Sequence, residues 1–374
     1  MRDHLFGLKA SLLIATGLGA GLAGGCLEYA SLDECLETAR EDSADAVEVI
    51  SFYVPSTEPC PPEDAERVKE AAREEASFCS NEPDIKYIAC GPETPEPELG
   101  ECTYVVVYKE PLQGCGVVGR PFLVEGAERC ASVHEDPSWA GAVELDGLPE
   151  SVALREGLAR HYTQAALMEH ASVAAFARFG VQLLALGAPS ELLRACHAAM
   201  ADETRHARLC FGLATRLAGT AVGPGPLEIE GALATAADPA SILRDVVIEG
   251  CLGETRAALE ARVAADRCRS PKLAAMLRSI AADEERHAAL AWRFVAWVLD
   301  TRPELAGAFE AALAEALAQP QLHTPDAVEG SEAWGVLDHA QRIELDRAVR
   351  RELLAPLGRQ LLGRHALSRR VRTS

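Results

Sequence analysis

The sequence is poor in aromatic residues and in positive charge. Phe, Trp and Tyr make up 5% of its 374 residues, and Lys and Arg number 36 against 57 Asp and Glu, so the formal net charge is −21. A surface of this sign repels phosphate groups, which excludes nucleic acid as an expected partner. Alanine and leucine dominate the second half of the chain, and this bias indicates packed helices there.

The cysteines lack any C-x-x-C spacing, which argues against zinc ribbons, rubredoxin-type iron sites and thioredoxin-like motifs. Seven of them fall within residues 27–148, a segment rich in Pro, Gly and Glu: Cys35, Cys60, Cys79, Cys90, Cys102, Cys115 and Cys130. This pattern predicts a small disulfide-rich domain in an exported protein. Because seven is odd, either one thiol stays free or Cys26 is a disulfide partner.

The first 26 residues have the organisation of a secretory signal. Arg2 and Lys9 precede an apolar run over 10–22, which is too short for a typical membrane span. The Leu-Ala-Gly-Gly-Cys stretch that follows resembles a bacterial lipobox, in which Cys26 is acylated and becomes the first mature residue. We therefore expect export to the cell envelope or periplasm, with a lipid anchor at the membrane. A tethering helix that stays uncleaved is the alternative.

Residues 149–301 carry the signals of four long helices. The first runs from Ser151 to Leu186, and Ser190 caps a second helix that ends near Leu217. Asp-Pro at 238–239 and Ser-Pro at 270–271 each place a capping residue before a first-turn proline, which opens a third and a fourth helix. The connection between the first and second helices is short, that between the second and third is long, and that between the third and fourth is short. This order predicts two antiparallel hairpins joined by one long crossover, as in a four-helix bundle.

The remaining segment, 302–374, is expected to extend the helical part of the chain. A fifth helix is predicted over 303–318, and a sixth over 334–354 that is broken near Pro356. The last residues form a basic tail. The sequence as a whole therefore predicts a mainly α protein with a small N-terminal domain.

One nine-residue pattern occurs twice in the helical part. Residues 201–209 read ADETRHARL, and residues 282–290 read ADEERHAAL. In each copy a Glu stands three positions before a His, so on a helix both side chains share one face, about one turn apart. Glu169 precedes the first copy and Glu249 precedes the second, and the two distances differ by only one residue. The chain thus contains an internal repeat.

The repeated Glu residues interrupt rows of apolar side chains that are spaced for burial. Glu203 follows Met200 and precedes Ala207, and Glu284 occupies the matching place on the fourth helix. A buried carboxylate costs on the order of several kcal/mol unless something compensates its charge. Four Glu and two His that converge without a thiolate ligand suit iron or manganese. Two divalent ions would offset the four carboxylate charges.

This constellation resembles the ferritin-like di-iron carboxylate superfamily, which includes ferritins, bacterioferritins, rubrerythrins and di-iron oxygenases. The resemblance covers about residues 150–300. It implies these ligands for two iron ions: Glu169, Glu203, His206, Glu249, Glu284 and His287. In each half the leading Glu and the His would cap one metal, and Glu203 and Glu284 would bridge the two. It also implies that Asp202 and Asp283 hydrogen-bond the ligand histidines.

The resemblance further implies an oxidase or oxygenase that reacts with O2 or peroxide and takes an unidentified reductant or substrate. The signal, the added domain and the helical tail argue against a ferritin cage, and the missing iron–cysteine module argues against a self-contained rubrerythrin. Iron or manganese sequestration without turnover and a metal-free structural bundle stay open as alternatives, as does a homodimer. Glu254 lies about 140° around a regular helix from Glu249. A salt bridge or solvent contact is therefore favoured for it over a role as an extra ligand.

Overall fold

A computed structural model describes residues 1–16, 46–53, 85–93, 101–108, 120–124, 127–234, 238–318 and 328–373. The chain forms two compact units. One comprises Met1–Ala20, Val117–Leu313 and Asp326–Ser374, and the other comprises Gly21–Gly116 and Ala314–Pro325. Residues 117–148 belong to the helical unit in this division, and the boundary at 148 stays a prediction.

The described part of the chain is mainly helical. Its helices are α1 (Arg2–Ala15), α2 (Val152–Leu186), α3 (Ser190–Ala218), α4 (Pro239–Asp245), α5 (Thr255–Arg267), α6 (Pro271–Thr301), α7 (Ala306–Ala318), α8 (His339–Ala348) and α9 (Ala355–Thr373). Two π-helical segments, π1 (Val246–Glu254) and π2 (Val349–Leu354), join α4 to α5 and α8 to α9 without a break. α2 packs along α3, α6 packs on π1 and α5, and α3 contacts α6.

The predicted caps set three of these helix starts. The Ser151 hydroxyl accepts from Leu154 N at 3.3 Å, and Asp238 and Ser270 accept in the same way from the third residue of α4 and α6. α2 ends at Gly187, whose φ of 69° lies in the left-handed region that glycine adopts without strain. Ser190 is the first residue of α3, and Pro189 precedes it as the cap.

The expected break near Pro356 is wrong, because π2 leads directly into α9 and the helix continues through the proline. A proline normally disrupts a helix through its missing N–H and its clash with the carbonyl four residues earlier. The i→i+5 spacing of the preceding π-helical turn changes which carbonyl lies there. The irregular turn thus accommodates the ring.

Short strands cover part of the helical unit. β4 (Leu123–Val124) pairs with β5 (Ala127–Glu128), and β6 (Val133–His134) pairs with β7 (Gly223–Pro224) in the long crossover between α3 and α4. The other unit contains an antiparallel sheet of β1 (Ala46–Tyr53), β3 (Glu101–Tyr108) and β2 (Ile85–Glu93), in that spatial order.

The N-terminal segment is helical and packs on the helical unit. Leu5, Leu8 and Leu12 of α1 are buried, and α1 contacts α5, α6 and π2. His4 Nε2 lies 2.6 Å from Asp266 Oδ2. The helices within the described residues include none that is long and apolar enough to cross a membrane. Cys26 lies outside the described residues, so the signal and the lipid anchor stay predictions.

The cysteines of the helical unit are free thiols in the structure: Cys130, Cys196, Cys210, Cys251 and Cys268. Cys130 was expected to belong to the disulfide-rich segment, and its Sγ instead lies 3.2 Å from Met168 Sδ. Cys90 and Cys102 lie on β2 and β3, and the remaining N-terminal cysteines fall outside the described residues. The N-terminal disulfides therefore also stay a prediction.

Candidate metal centre

The helices of the main unit bring two overlapping groups of acidic and imidazole side chains together. The first group is Glu169, Glu203, His206 and Glu284, and the second is Glu203, Glu254, Glu284 and His287. In each group the potential ligand atoms lie within 4.8 Å of one another, and all of the residues are buried. Either group could hold a metal ion, and Glu203 and Glu284 are common to both.

The two imidazoles face the carboxylates through their Nδ1 atoms. His206 Nδ1 lies 3.1 Å from Glu284 Oε1 and 3.6 Å from Glu169 Oε2. His287 Nδ1 lies 2.9 Å from Glu203 Oε1 and 4.0 Å from Glu254 Oε2. Each histidine thus approaches the Glu of the opposite motif, because α3 and α6 present their repeated Glu-x-x-His pairs to each other.

The other ring nitrogens are held by aspartates, and the pairing crosses between the helices. His206 Nε2 lies 3.1 Å from Asp283, and His287 Nε2 lies 3.4 Å from Asp202. An imidazole that donates its Nε2 proton to a carboxylate keeps the Nδ1 lone pair for a ligand. Each aspartate therefore lies beside the histidine of the other motif.

Two arginines that the sequence analysis did not single out complete this outer layer. Arg205 bonds Asp283 and lies 3.4 Å from Asp202, while Arg286 bonds Asp283 and lies 3.0 Å from Asp202. Both belong to the repeated Asp-Glu-x-Arg-His pattern, which was the available signal for them. Two arginines and two aspartates balance in charge, so this layer leaves no positive charge for the inner carboxylates.

Burial and the neighbouring charges shift the pKa values of the clustered side chains in different directions. Burial, with the Glu284 and Glu169 carboxylates, raises the pKa of Glu203 well above its usual value, and burial with Glu284 does the same for Glu254. Burial alone would lower the pKa of His287, but Asp202 and Glu284 outweigh it and raise that pKa to about 10. Burial would raise the pKa of Glu284, and the two imidazoles outweigh it and hold the value low.

Glu249 does not join the cluster, which corrects the ligand set inferred from the sequence. Its Oε2 accepts from Arg120 Nε at 3.2 Å, and its Oε1 is bonded by Arg178. Glu254 instead supplies the fourth carboxylate. The 140° between the two residues holds only for a regular helix, whereas both lie on π1. The regular-helix angle therefore does not apply here, and π1 carries Glu254 into the second group while Glu249 is bonded to the two arginines.

The donor set fits a divalent ion. The possible ligand atoms of the two groups are buried and, within the described part of the chain, form no hydrogen bond of normal geometry. They are both carboxylate oxygens of Glu169, Glu203, Glu254 and Glu284 and the Nδ1 atoms of His206 and His287. Buried polar atoms are normally satisfied, and unsatisfied ones call for an explanation such as an ion. Carboxylate and imidazole donors bind several divalent metals, so they fit a metal ion without identifying it.

Comparison with known proteins gives no match for this chain among family models, curated proteins or solved structures.

Proposed function

We propose that α2, α3, the α4–π1–α5 helix and α6 form a ferritin-like four-helix bundle around a di-metal carboxylate centre. Its ligands are the side chains of the two overlapping groups: Glu169, Glu203, His206, Glu254, Glu284 and His287. Glu169 and His206 bind one ion, Glu254 and His287 bind the other, and Glu203 and Glu284 bridge them. The native metal is iron, with manganese as the alternative.

The observation that carries this proposal is the burial of four carboxylates that have, among the residues the structure describes, no cationic partner apart from the two imidazoles. The arginines nearest to the site already pair with Asp202 and Asp283. Moving ionised carboxylates out of water without compensation is too costly for a stable fold, so they stay protonated or bind cations. Two divalent ions carry the charge that neutralises four carboxylates.

The function that fits this centre is oxidation or oxygenation of a reductant or organic substrate with O2 or peroxide. Bound iron would supply the redox chemistry. The protein orients both imidazoles through Asp202 and Asp283 and keeps their Nδ1 atoms available to the metals. It also excludes bulk water, since the surrounding side chains are apolar, as with Phe176 against the His287 ring at 5.2 Å.

The metal content of purified variants tests the ligand set. Anaerobic protein loaded with Fe(II) should bind two ions per chain, and Glu203→Ala or Glu254→Ala should bind fewer. Glu285→Ala is the matched control, because Glu285 neighbours a ligand in sequence but pairs with Arg262 at 2.6 Å away from the cluster. Equal iron content in all of these proteins by elemental analysis would refute the assignment.

The reaction with oxidants tests the chemistry separately. We expect Fe(II) in the loaded protein to be oxidised by O2 or H2O2, followed as the loss of chelatable Fe(II) in stopped flow. His206→Ala or His287→Ala should slow this loss sharply. Stoichiometric iron binding without oxidation by either oxidant would leave metal sequestration as the function and exclude the oxidase.

A further inference from the structure

A second buried charge cluster lies beside the metal centre and involves none of its ligands. It consists of Arg120, Arg178 and Glu249, which we call the Glu249 clamp. Arg120 Nε donates to Glu249 Oε2 at 3.2 Å, and Arg178 donates to Glu249 Oε1 and to the carbonyl of Leu123. Leu123 N also approaches Glu249 Oε1 at 3.4 Å. All three charged side chains are buried.

The clamp is held rigidly against α2. The Arg120 guanidinium lies 4.9 Å from the centre of the Phe176 ring and 4.7 Å from that of Phe179, as in cation–π contacts. The Arg120 carbonyl accepts from the Ser172 hydroxyl at 2.6 Å. Phe176 in turn meets the His287 ring edge-on at 5.2 Å. Because these contacts hold the Arg120 guanidinium in place, they also hold the Glu249 carboxylate that it binds.

Glu249 lies on the same π-helical segment as the proposed metal ligand Glu254. Glu249 lies near the start of π1 and Glu254 is its last residue. The next residue, Gly250, is so close to α6 that an added Cβ would lie 2.6 Å from the Cβ of Ala291 and 3.7 Å from Arg120 Nη1. This part of π1 is therefore in close contact with both the clamp and α6. Its conformation there determines where Glu254 points one turn later.

We propose that Arg120 and Arg178 are positioning residues for the metal centre. They act through Glu249, which they hold so that π1 keeps its i→i+5 turn and directs Glu254 into the second ligand group. Without the clamp the segment relaxes toward a regular helix, which changes the angle between Glu249 and Glu254, so that Glu254 no longer faces the second ion. This inference rests on the proposed function, because it assigns a role toward the metals.

The clamp acts on only one of the two ions. Glu254 belongs to the group with His287, whereas the group with Glu169 and His206 contains no residue of π1. Loss of the clamp should therefore weaken the binding of the second ion and leave the binding of the first unchanged. A general loss of packing would weaken both.

The test uses the full-length protein titrated with Mn(II). Glu249→Gln leaves the shape of the side chain and removes its charge. We expect two ions per wild-type chain in a calorimetric titration. In the variant one ion should bind about 10- to 100-fold more weakly, as is typical when a partner behind a metal ligand is removed. The electron paramagnetic resonance signal should change from that of a coupled pair to that of an isolated ion at equal Mn(II).

Asp346→Asn is the matched control. Asp346 is also a buried acid between two arginines, with Arg256 Nη1 at 3.3 Å and Arg350 Nε at 2.7 Å, but it lies on α8. This variant should lower the unfolding temperature of the apoprotein comparably and keep both ions. If it loses the second ion to the same extent, the effect of Glu249→Gln is general and the positioning role is overturned.

Two further outcomes separate the hypotheses. Wild-type protein that binds no Mn(II) refutes the proposed function itself. Wild-type protein that binds two ions, with unchanged affinities in Glu249→Gln, refutes only the positioning role. If Glu249→Gln fails to fold, the Arg120→Lys variant tests the positioning role instead. Lysine keeps the positive charge but lacks the planar guanidinium that lies against the Phe176 and Phe179 rings and bonds Glu249. Weakening of the second ion alone in Arg120→Lys supports the proposal, and unchanged binding contradicts it.

Discussion

The histidines of the centre depend on groups that would not touch a metal. His206 and His287 each turn Nε2 toward an aspartate of the other motif, at 3.1 Å and 3.4 Å. In the neutral imidazole the carboxylate selects the tautomer with the proton on Nε2, so that Nδ1 can supply its lone pair to an ion among the glutamates. A ligand histidine without such a partner can rotate or carry its proton on the wrong nitrogen.

Asp283→Asn should therefore weaken metal binding without removing a ligand. The amide no longer enforces the Nε2 proton of His206, so we expect affinity for the ion bound by that histidine to fall about 10- to 100-fold. Calorimetric titration with Mn(II) measures the change. Glu285→Gln, which alters a surface pair with Arg262, should leave both affinities as in the wild type. Indistinguishable titrations for Asp283→Asn and Glu285→Gln would contradict this role.

Glu128 has an unusual environment for a carboxylate outside the metal centre. Burial raises its pKa to about 7, and the charge of Arg256 only partly opposes this. Its Oε1 atom is buried and has no hydrogen-bond partner among the described residues. Because the folded pKa exceeds the unfolded one, the folded state binds the proton more tightly, and this group stabilises the fold most below the unfolded pKa.

The unfolding free energy should therefore decrease through Glu128 as the pH rises from about 4.5 to about 7. A shift of this size corresponds to at most about 3 kcal/mol. Glu128→Gln should remove this contribution, so that the variant exceeds the wild type in stability at pH 8 and differs little at pH 4. Urea unfolding of both proteins across this pH range measures the difference. A constant difference between them at all pH values would rule out the raised pKa.

At the scale of helices, local signals predicted the starts and stops well. Ser151, Asp238 and Ser270 cap helices because each side chain satisfies a backbone N–H that the first turn leaves free. Gly187 ends α2 because it adopts a positive φ at little cost. These effects depend on a few neighbouring residues, so they can be read from the sequence.

The π-helical segments could not be read in the same way. Glu249 was assigned from its place in the repeat, and the 100° per residue of a regular helix counted against Glu254, but π1 departs from this rule between Val246 and Glu254. A π-helical turn is selected by tertiary contacts, here the arginines that bind Glu249 and the close approach of Gly250 to α6. Arg120 comes from a distant segment that carried no motif. The other five ligands predicted from the repeat all lie in the cluster.

Gly250→Ala should disturb π1 through packing alone. An alanine Cβ would lie 2.6 Å from the Cβ of Ala291, so α6 or π1 must move. The gain of about 1 kcal/mol in helix propensity is outweighed by about 1–3 kcal/mol of overpacking. We expect a net loss of up to about 2 kcal/mol in urea unfolding, together with weaker binding of the ion held by Glu254. Gly363→Ala on α9, which meets nothing within 4 Å, should be neutral or stabilising. A stabilised Gly250→Ala would show that π1 is not pinned there.

For the molecule as a whole, the candidate metal centre lowers the stability of the apoprotein. The main unit buries four carboxylates that its own arginines do not neutralise. Burial and mutual repulsion raise the pKa of Glu203 and of Glu254, so raising the pH makes the apoprotein less stable through these groups. Metal binding reverses this cost, because the ions replace protons in the cluster.

Removal of metal should therefore destabilise the wild-type fold, and replacement of a ligand should stabilise the apoprotein. Saturating Mn(II) at about 1,000 times its dissociation constant would add about 4 kcal/mol for a single site. Glu203→Gln removes one buried charge, so its apoprotein should unfold at a temperature equal to or above that of the wild-type apoprotein at pH 8. It should gain little from Mn(II), because a bridging ligand is missing. Thermal unfolding of both proteins with EDTA and with Mn(II) gives the four temperatures that are needed. An equal Mn(II)-dependent increase in both proteins would mean that the ions bind elsewhere, since only the cluster distinguishes the two chains.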